Sequence, residues 1–199
     1  MVILFCNNIT AISIAYSVMA SIVDFDSTSS KSIKQEARIA MKVFIISDTH
    51  FGHTNIIKYE NRPFSSTEEM DKTLIKNWNS VVGKKDRVIH LGDFMFGKKE
   101  RCKELLSQLN GDKVLIKGNH DNWSDQFYRD AGFSYVSKYP IVWNEFYVLS
   151  HAPLEMQQSL PFFNYYGHVH SNPMFQDTEN SKCVSVERID YTPMFLCKV

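Results

Sequence analysis

The chain has 199 residues, of which 44% are hydrophobic and 22% are charged, a composition typical of a soluble globular domain. Its 22 basic and 22 acidic residues balance to a formal net charge of zero, which disfavours a dedicated duplex-DNA binder with a basic stripe. The four cysteines show no CxxC or CxxH spacing, so neither a zinc finger nor a redox motif is indicated.

The first forty residues differ from the rest of the chain. Residues 1–23 carry no charged side chain, and residues 24–40 are polar. Three interpretations stay open: an extension upstream of a true start at Met41, a signal peptide that lacks a basic n-region, or a membrane anchor. Because a core strand begins directly after Met41, we predict an N-terminal extension at 1–40 and a single folded domain at 41–199. Free cysteines indicate a reducing compartment, so we expect a cytoplasmic location.

From Met41 onward the sequence alternates short apolar runs with helical patterns, which predicts mixed α and β layers. In residues 67–82, Met70, Leu74, Trp78 and Val81 recur every three or four positions, which predicts a helix that ends at Gly83. A similar pattern predicts a second helix at 98–110. The predicted strands lie, in chain order, at 42–47, 87–91, 113–117, 146–150, 163–167, 182–186 and 193–198.

Side chains with metal-binding atoms follow five of these strands. They are Asp48, His50, Asp93, Asn119, His151, His168 and His170. The carboxyl ends of strands in layered α/β proteins form a crevice where ligands bind, and residues two apart in extended backbone share a face. Oxygen and imidazole ligands without a thiolate suit divalent manganese, iron, nickel, cobalt or zinc. The sequence therefore predicts a metal site at these strand ends.

The motifs DxH, GD, GNHD, H and GHxH, in this order, resemble the calcineurin-like metallophosphoesterase superfamily over residues 41–199. The form SDTHFGH at 47–53, followed by GDF, resembles its small bacterial and phage branch rather than the Ser/Thr protein phosphatases. This resemblance implies an α/β (α+β) fold: a four-layer αββα sandwich with two central mixed β-sheets.

The resemblance also implies a role for each motif residue. One metal ion would be held by Asp48, His50 and His170, and a second by Asn119, His151 and His168. Asp93 would bridge both ions, and His120, oriented by Asp121, would stand near the leaving-group oxygen. The implied cofactors are two divalent ions, with manganese expected first.

The resemblance implies hydrolysis of phosphodiester bonds, of nucleotide type, by a hydroxide that bridges the ions. A phosphomonoesterase or nucleotide pyrophosphatase is the alternative enzyme, and a non-catalytic protein-interaction scaffold is a third reading. The expected partners are small phosphate esters, nucleotides or short nucleic-acid ends, with no strong membrane partner, and the oligomeric state is open. His53 and Asn55 are candidate pocket residues, while Arg62 could clamp a phosphate or form a surface salt bridge.

Overall fold

The computed structural model describes residues 40–157 and 159–198. Within these residues the strands are β1 (Lys42–Ile46), β2 (Arg87–His90), β3 (Asp112–Ile116), β4 (Tyr135–Ser137), β5 (Ile141–Trp143), β6 (Tyr147–Leu149), β7 (Phe163–Tyr166), β8 (Ser181–Cys183) and β9 (Met194–Lys198). The helices are α1 (Thr54–Tyr59), α2 (Thr67–Val81), α3 (Lys99–Gln108), α4 (Asp125–Ala131) and a 3₁₀ helix at Val186–Arg188. The predictions made for residues 1–39 lie outside the described residues.

The strands form two mixed sheets. The first sheet has the order β4-β3-β2-β1-β9, and all its pairs are parallel except β1 with β9. The second has the order β5-β6-β7-β8, and only β5 with β6 is antiparallel. Parallel pairing aligns the carboxyl ends of β1, β2 and β3, and of β6 and β7, along one edge of each sheet.

The two sheets pack against each other through a shared apolar cluster. Alternate residues of β1, Val43 and Ile45, join Leu149 of β6 in this cluster, and Tyr165 of β7 packs against it. Because side chains alternate across a strand, the intervening Phe44 and Ile46 belong to the opposite face. The buried sheet-to-sheet contact therefore fixes the strand ends of one sheet relative to those of the other.

Helices cover the outer face of the first sheet. Buried helix residues and the outward face of β1, with Phe44 and Ile46, form a second apolar cluster. The helix residues in it are Ile56 of α1, Met70, Leu74 and Trp78 of α2, Cys102, Leu105 and Leu106 of α3, and Tyr128 and Ala131 of α4. The two mixed sheets with helices on a flank confirm the predicted α/β class and its two central mixed sheets. All four α-helices of the described residues contribute to this one cluster and none follows β5, so these residues supply no helical layer on the second sheet.

Both predicted helices are confirmed within two residues at each end. The strand predicted at 182–186 is wrong at its carboxyl end, because residues 186–188 form the 3₁₀ helix instead. Helices α1 and α4 and strands β4 and β5 were not predicted. In the portion that the structure describes, no helix is long and apolar enough to cross a membrane.

Candidate metal centre

The seven predicted metal ligands lie directly after the carboxyl ends of five strands. They follow β1 (Asp48, His50), β2 (Asp93), β3 (Asn119), β6 (His151) and β7 (His168, His170). Five of them have left-handed backbone, with φ of 57° at Asp48, 48° at His50, 55° at Asp93, 69° at His168 and 48° at His170. Such conformations cost roughly 1–3 kcal/mol each and accumulate at functional sites, where the surrounding structure holds them.

Asp48, His50 and His170 form a first cluster, with one potential ligand atom from each and all three atoms within 4.8 Å of one another. The Nε2 atom of His170 lies 3.9 Å from Oδ1 of Asp48. Oδ1 of Asp48 and Nε2 of His50 are buried and have no hydrogen-bond partner among the described residues. Buried polar atoms are nearly always paired, so two unpaired ligand atoms in one cluster fit a bound cation.

Asp93, His151 and His168 form a second cluster of the same size. The side-chain oxygen of Asn119 lies 2.9 Å from Nε2 of His151 and 2.9 Å from Nδ1 of His168. His151 donates through Nδ1 to the carbonyl of Leu91 at 2.8 Å, so its Nε2 carries the lone pair. This cluster therefore adds an amide oxygen to a carboxylate and two imidazoles.

Asp93 stands between the two clusters. Its Oδ2 lies 3.7 Å from Nε2 of His50 and 3.5 Å from Nε2 of His151. One carboxylate oxygen thus faces ligand atoms of both sets, which is the position that a carboxylate shared by two cations requires.

The electrostatics of the clusters also suit cations. Burial lowers the pKa of His50, and the neighbouring His170 lowers it further. Burial and His151 likewise lower the pKa of His168. Burial raises the pKa of Asp93 against the opposing influence of His151. Burial lowers the pKa of His170, but its hydrogen bond to Glu187 and the nearby carboxylates together outweigh this and raise it. The neutral imidazoles of His50 and His168 keep their lone pairs available, and desolvated carboxylates gain most from a divalent ion.

Comparison with known proteins agrees with this geometry. The sequence matches the family model of the calcineurin-like phosphoesterases over residues 41–193. The chain belongs to the calcineurin-like phosphoesterase family. It is 44% identical over 165 residues to the uncharacterized protein MJ1445 of Methanocaldococcus jannaschii, which covers 78% of this chain and 87% of that protein.

Two further proteins are similar to parts of this calcineurin-like phosphoesterase. The gene 66 protein of Mycobacterium phage L5 is 42% identical over 78 residues, 38% of this chain and 37% of the phage protein. The crystal structure of AQ665 from Aquifex aeolicus, a protein of unknown function, superposes with a TM-score of 0.62 at 26% identity, covering 78% of this chain and 95% of that one.

Gly167 lets the two sheets of the phosphoesterase approach each other at the metal centre. A Cβ atom at this position would lie 2.0 Å from Oγ of Ser47 and 2.3 Å from Oδ2 of Asp48. The same Oδ2 accepts hydrogen bonds from Oγ of Ser185 at 2.7 Å and from the backbone N–H of His168 at 2.9 Å. Only glycine leaves room for this approach, and the hydrogen bonds leave Oδ1 of Asp48 free for a cation.

The structure places His120 and Asp121, which the resemblance pairs, in different environments. His120 is exposed, and its backbone N–H donates to Oδ1 of Asp93 at 2.8 Å. Asp121 is buried, and its carboxylate accepts from the backbone N–H groups of Gly118 and Asp93, with no hydrogen bond to the His120 ring among the described residues. Asp121 therefore joins the loops around His120 through backbone hydrogen bonds.

The three tentative substrate-binding residues lie in different environments. His53 is half-buried, 3.3 Å from His50 between the Nδ1 atoms, and its ring stacks on Phe96 at 3.9 Å. Asn55 is exposed on α1. Arg62 is buried, and its side chain pairs with Glu187 and with backbone carbonyls, so it is neither a surface salt bridge nor open to a phosphate in the cleft.

Glu187 is a residue of the site that the sequence did not reveal. Its carboxylate accepts from Nδ1 of His170 at 3.0 Å. It lies in the 3₁₀ helix, 17 residues after its partner, and no spacing or motif letter marks it. Predicting Glu187 would have required knowing that the turn after β8, which the sequence did not predict, folds back on His170.

Proposed function

We propose that this calcineurin-like phosphoesterase hydrolyses phosphodiester bonds of nucleotide-type substrates with two divalent ions. One ion would be held by Asp48, His50 and His170, and the other by Asn119, His151 and His168. Asp93 would bind both ions. Such ions, when bound, attract the phosphate and acidify a water molecule near neutral pH. Manganese is the first metal to test, because oxygen and imidazole ligands suit it, with iron, nickel, cobalt and zinc as alternatives.

The position of His120 is the observation that favours phosphodiesters as the substrates. Its backbone N–H donates to Oδ1 of Asp93, whose other oxygen, Oδ2, faces both clusters, and the ring centroid of His120 lies 5.6 Å from that of His50. The exposed imidazole can protonate a departing alkoxide at the edge of the site. Proton donation is worth about 10²–10⁴ in rate and matters most for poor leaving groups such as the sugar oxygen of a diester.

The accessible side of the centre supports a substrate larger than a simple phosphate. Asn119, His120 and His168 are exposed, whereas Asp48, His50 and Asp93 are buried beneath them. A nucleotide or the end of a short nucleic acid can therefore approach from the His120 side without crossing the core.

The test is His120→Ala in the full chain. We expect turnover of a diester with a sugar-alcohol leaving group to fall by about 10²–10⁴, because the alkoxide would leave unprotonated. A nitrophenyl diester should lose less, because nitrophenolate leaves without a proton. Metal content, measured by elemental analysis, should stay at the wild-type value.

Three outcomes would argue against the proposal. Undiminished turnover, or loss of metal, in His120→Ala would remove the role of proton donor. Faster wild-type hydrolysis of the nitrophenyl monoester than of the diester would favour a phosphomonoesterase. Metal binding without turnover of either ester would favour a non-catalytic scaffold.

A further inference from the structure

A buried ion pair lies next to the first ligand cluster. The Arg62 side chain is fully inaccessible and that of Glu187 is 6% exposed. Oε1 of Glu187 accepts from Nε of Arg62 at 2.9 Å and lies 2.7 Å from its NH2 atom. The two residues are 125 positions apart, so the pair joins the segment after α1 to the turn after β8.

Arg62 also holds the backbone of the loop that carries two ligands. Its NH2 group donates to the carbonyl of Asp48 at 2.7 Å, and NH1 donates to the carbonyl of Thr49 at 2.9 Å. These are the carbonyls between Asp48 and His50, both of which have left-handed backbone. A guanidinium offers several donors in a rigid plane, so it can fix two adjacent carbonyls at once.

Glu187 holds the third ligand of the same cluster. Because Nδ1 of His170 donates to Oε1 of Glu187, the lone pair of the ring is on Nε2, which lies 3.9 Å from Oδ1 of Asp48. The backbone carbonyl of His170 accepts from Nε of Arg188 at 2.6 Å, which fixes the main chain of the same residue. The hydrogen bond to Glu187 therefore selects both the tautomer and the ring orientation that point Nε2 at the cluster.

We propose that the Arg62–Glu187 pair is a positioning device for one of the two metal sites, the one formed by Asp48, His50 and His170. Glu187 orients His170, and Arg62 orients the loop that carries the other two ligands. This inference rests on the proposed metal centre. It adds that the pair supports only one of the two sites, because the described contacts of His151 run to Leu91, Asn119, His168 and Asp93 and not to Arg62 or Glu187.

A rival explanation is that Glu187 acts only as negative charge near the metal centre. Glu60 provides a matched control, because it forms a cluster with His170 and Glu187 while its carboxylate accepts from Ser171. Glu60→Gln and Glu187→Gln remove the same charge from the same neighbourhood. Only the second removes a carboxylate that is hydrogen-bonded to the imidazole.

The experiment is a calorimetric titration of the chelator-stripped full chain with Mn²⁺. We expect two sites in the wild type, and Glu187→Gln should weaken one of them by about 10–100-fold while the other changes less than about twofold. Glu60→Gln should leave both unchanged. Equal weakening of both sites, an identical effect of the two variants, or no effect of Glu187→Gln would overturn the inference.

A second measurement covers the case in which a variant folds poorly. In the metal-free wild type, nitrogen NMR should show His170 protonated on Nδ1, and Glu187→Asp, whose shorter side chain retracts the carboxylate, should change its tautomer populations. A wild-type ring protonated on Nε2 alone would overturn the inference. If the wild type bound no metal, the proposed function would fail; if it bound two ions and only the Glu187 effects were missing, the inference alone would fail.

Discussion

Asp121 connects the loops that carry Asp93 and His120. Its Oδ2 accepts from the backbone N–H of Asp93 at 2.7 Å and of Gly118 at 2.9 Å, and its Oδ1 accepts from Phe94 at 3.1 Å. Burial raises the pKa of this carboxyl, and the backbone hydrogen bonds oppose that rise. The Asp121 carboxylate is the acceptor for three backbone N–H groups that have no other hydrogen-bond partner among the described residues. Their need for an acceptor explains why a carboxylate is buried at this position.

Asp121→Ala tests this role. We expect the free energy of unfolding to fall by about 3 kcal/mol, since buried N–H groups would lose their acceptor. Denaturant unfolding of the metal-free chain measures the change. Asp130→Ala is the control, because the Asp130 carboxylate accepts from an exposed Gln126 side chain, and its effect should stay within about 0.5 kcal/mol. Equal stability of the two variants would mean that water replaces the lost carboxylate.

The clustering of the candidate metal ligands could be predicted from sequence because each carries a recognisable spacing at the end of an apolar run. Arg62 and Glu187 could not be placed in the same way. Arg62 lies between α1 and α2 and Glu187 beyond β8, so only the three-dimensional fold brings them beneath His170. Sequence patterns report local periodicity, whereas a buried ion pair between distant segments leaves no periodic trace.

At the scale of elements, the long helices and the site-bearing strands were predictable and the short elements were not. Helix α2 has 15 residues, enough for an apolar face to repeat four times, and Ser66 accepts from the N–H of Glu69 at its start. Helix α4 has seven residues, and strands β4 and β5 have three each. Over so few residues a period of 3.6 cannot be told from a period of two.

Helix α2 also supports the site, because Asp71 on it accepts from the backbone N–H of Gly52 at 3.0 Å, two residues beyond His50. Leu74, 2% exposed on the same helix, anchors it to the sheet. We expect Leu74→Ala to lower the free energy of unfolding by about 3 kcal/mol through lost burial and a cavity. Lys76→Ala, at an exposed position, should change it by less than about 0.5 kcal/mol. Chemical denaturation compares the two, and equal effects would mean that α2 does not pack as described.

At the scale of the molecule, the proposed metal centre lies where the two sheets meet. Four ligands follow strands of the first sheet (Asp48, His50, Asp93 and Asn119), and three follow strands of the second (His151, His168 and His170). Each proposed ion takes ligands from both sheets. Bound ions would therefore join the sheets at the edge where buried carboxylates and left-handed turns destabilise the metal-free chain.

Removal of the metal should consequently lower the stability of both sheets and not only of the loops. An ion at a hundred times its dissociation constant adds about 2.7 kcal/mol per site, which for a chain of this size raises the melting temperature by roughly 5–10 °C. Scanning calorimetry of the full chain with chelator and with Mn²⁺ measures the rise. Hydrogen exchange should slow at the carboxyl ends of β1 and β7 together, because one ion holds both. A rise in melting temperature with slower hydrogen exchange in one sheet alone would contradict ligation across the sheets. The Asp93→Asn variant should lose most of the rise in melting temperature, because it lacks the shared carboxylate.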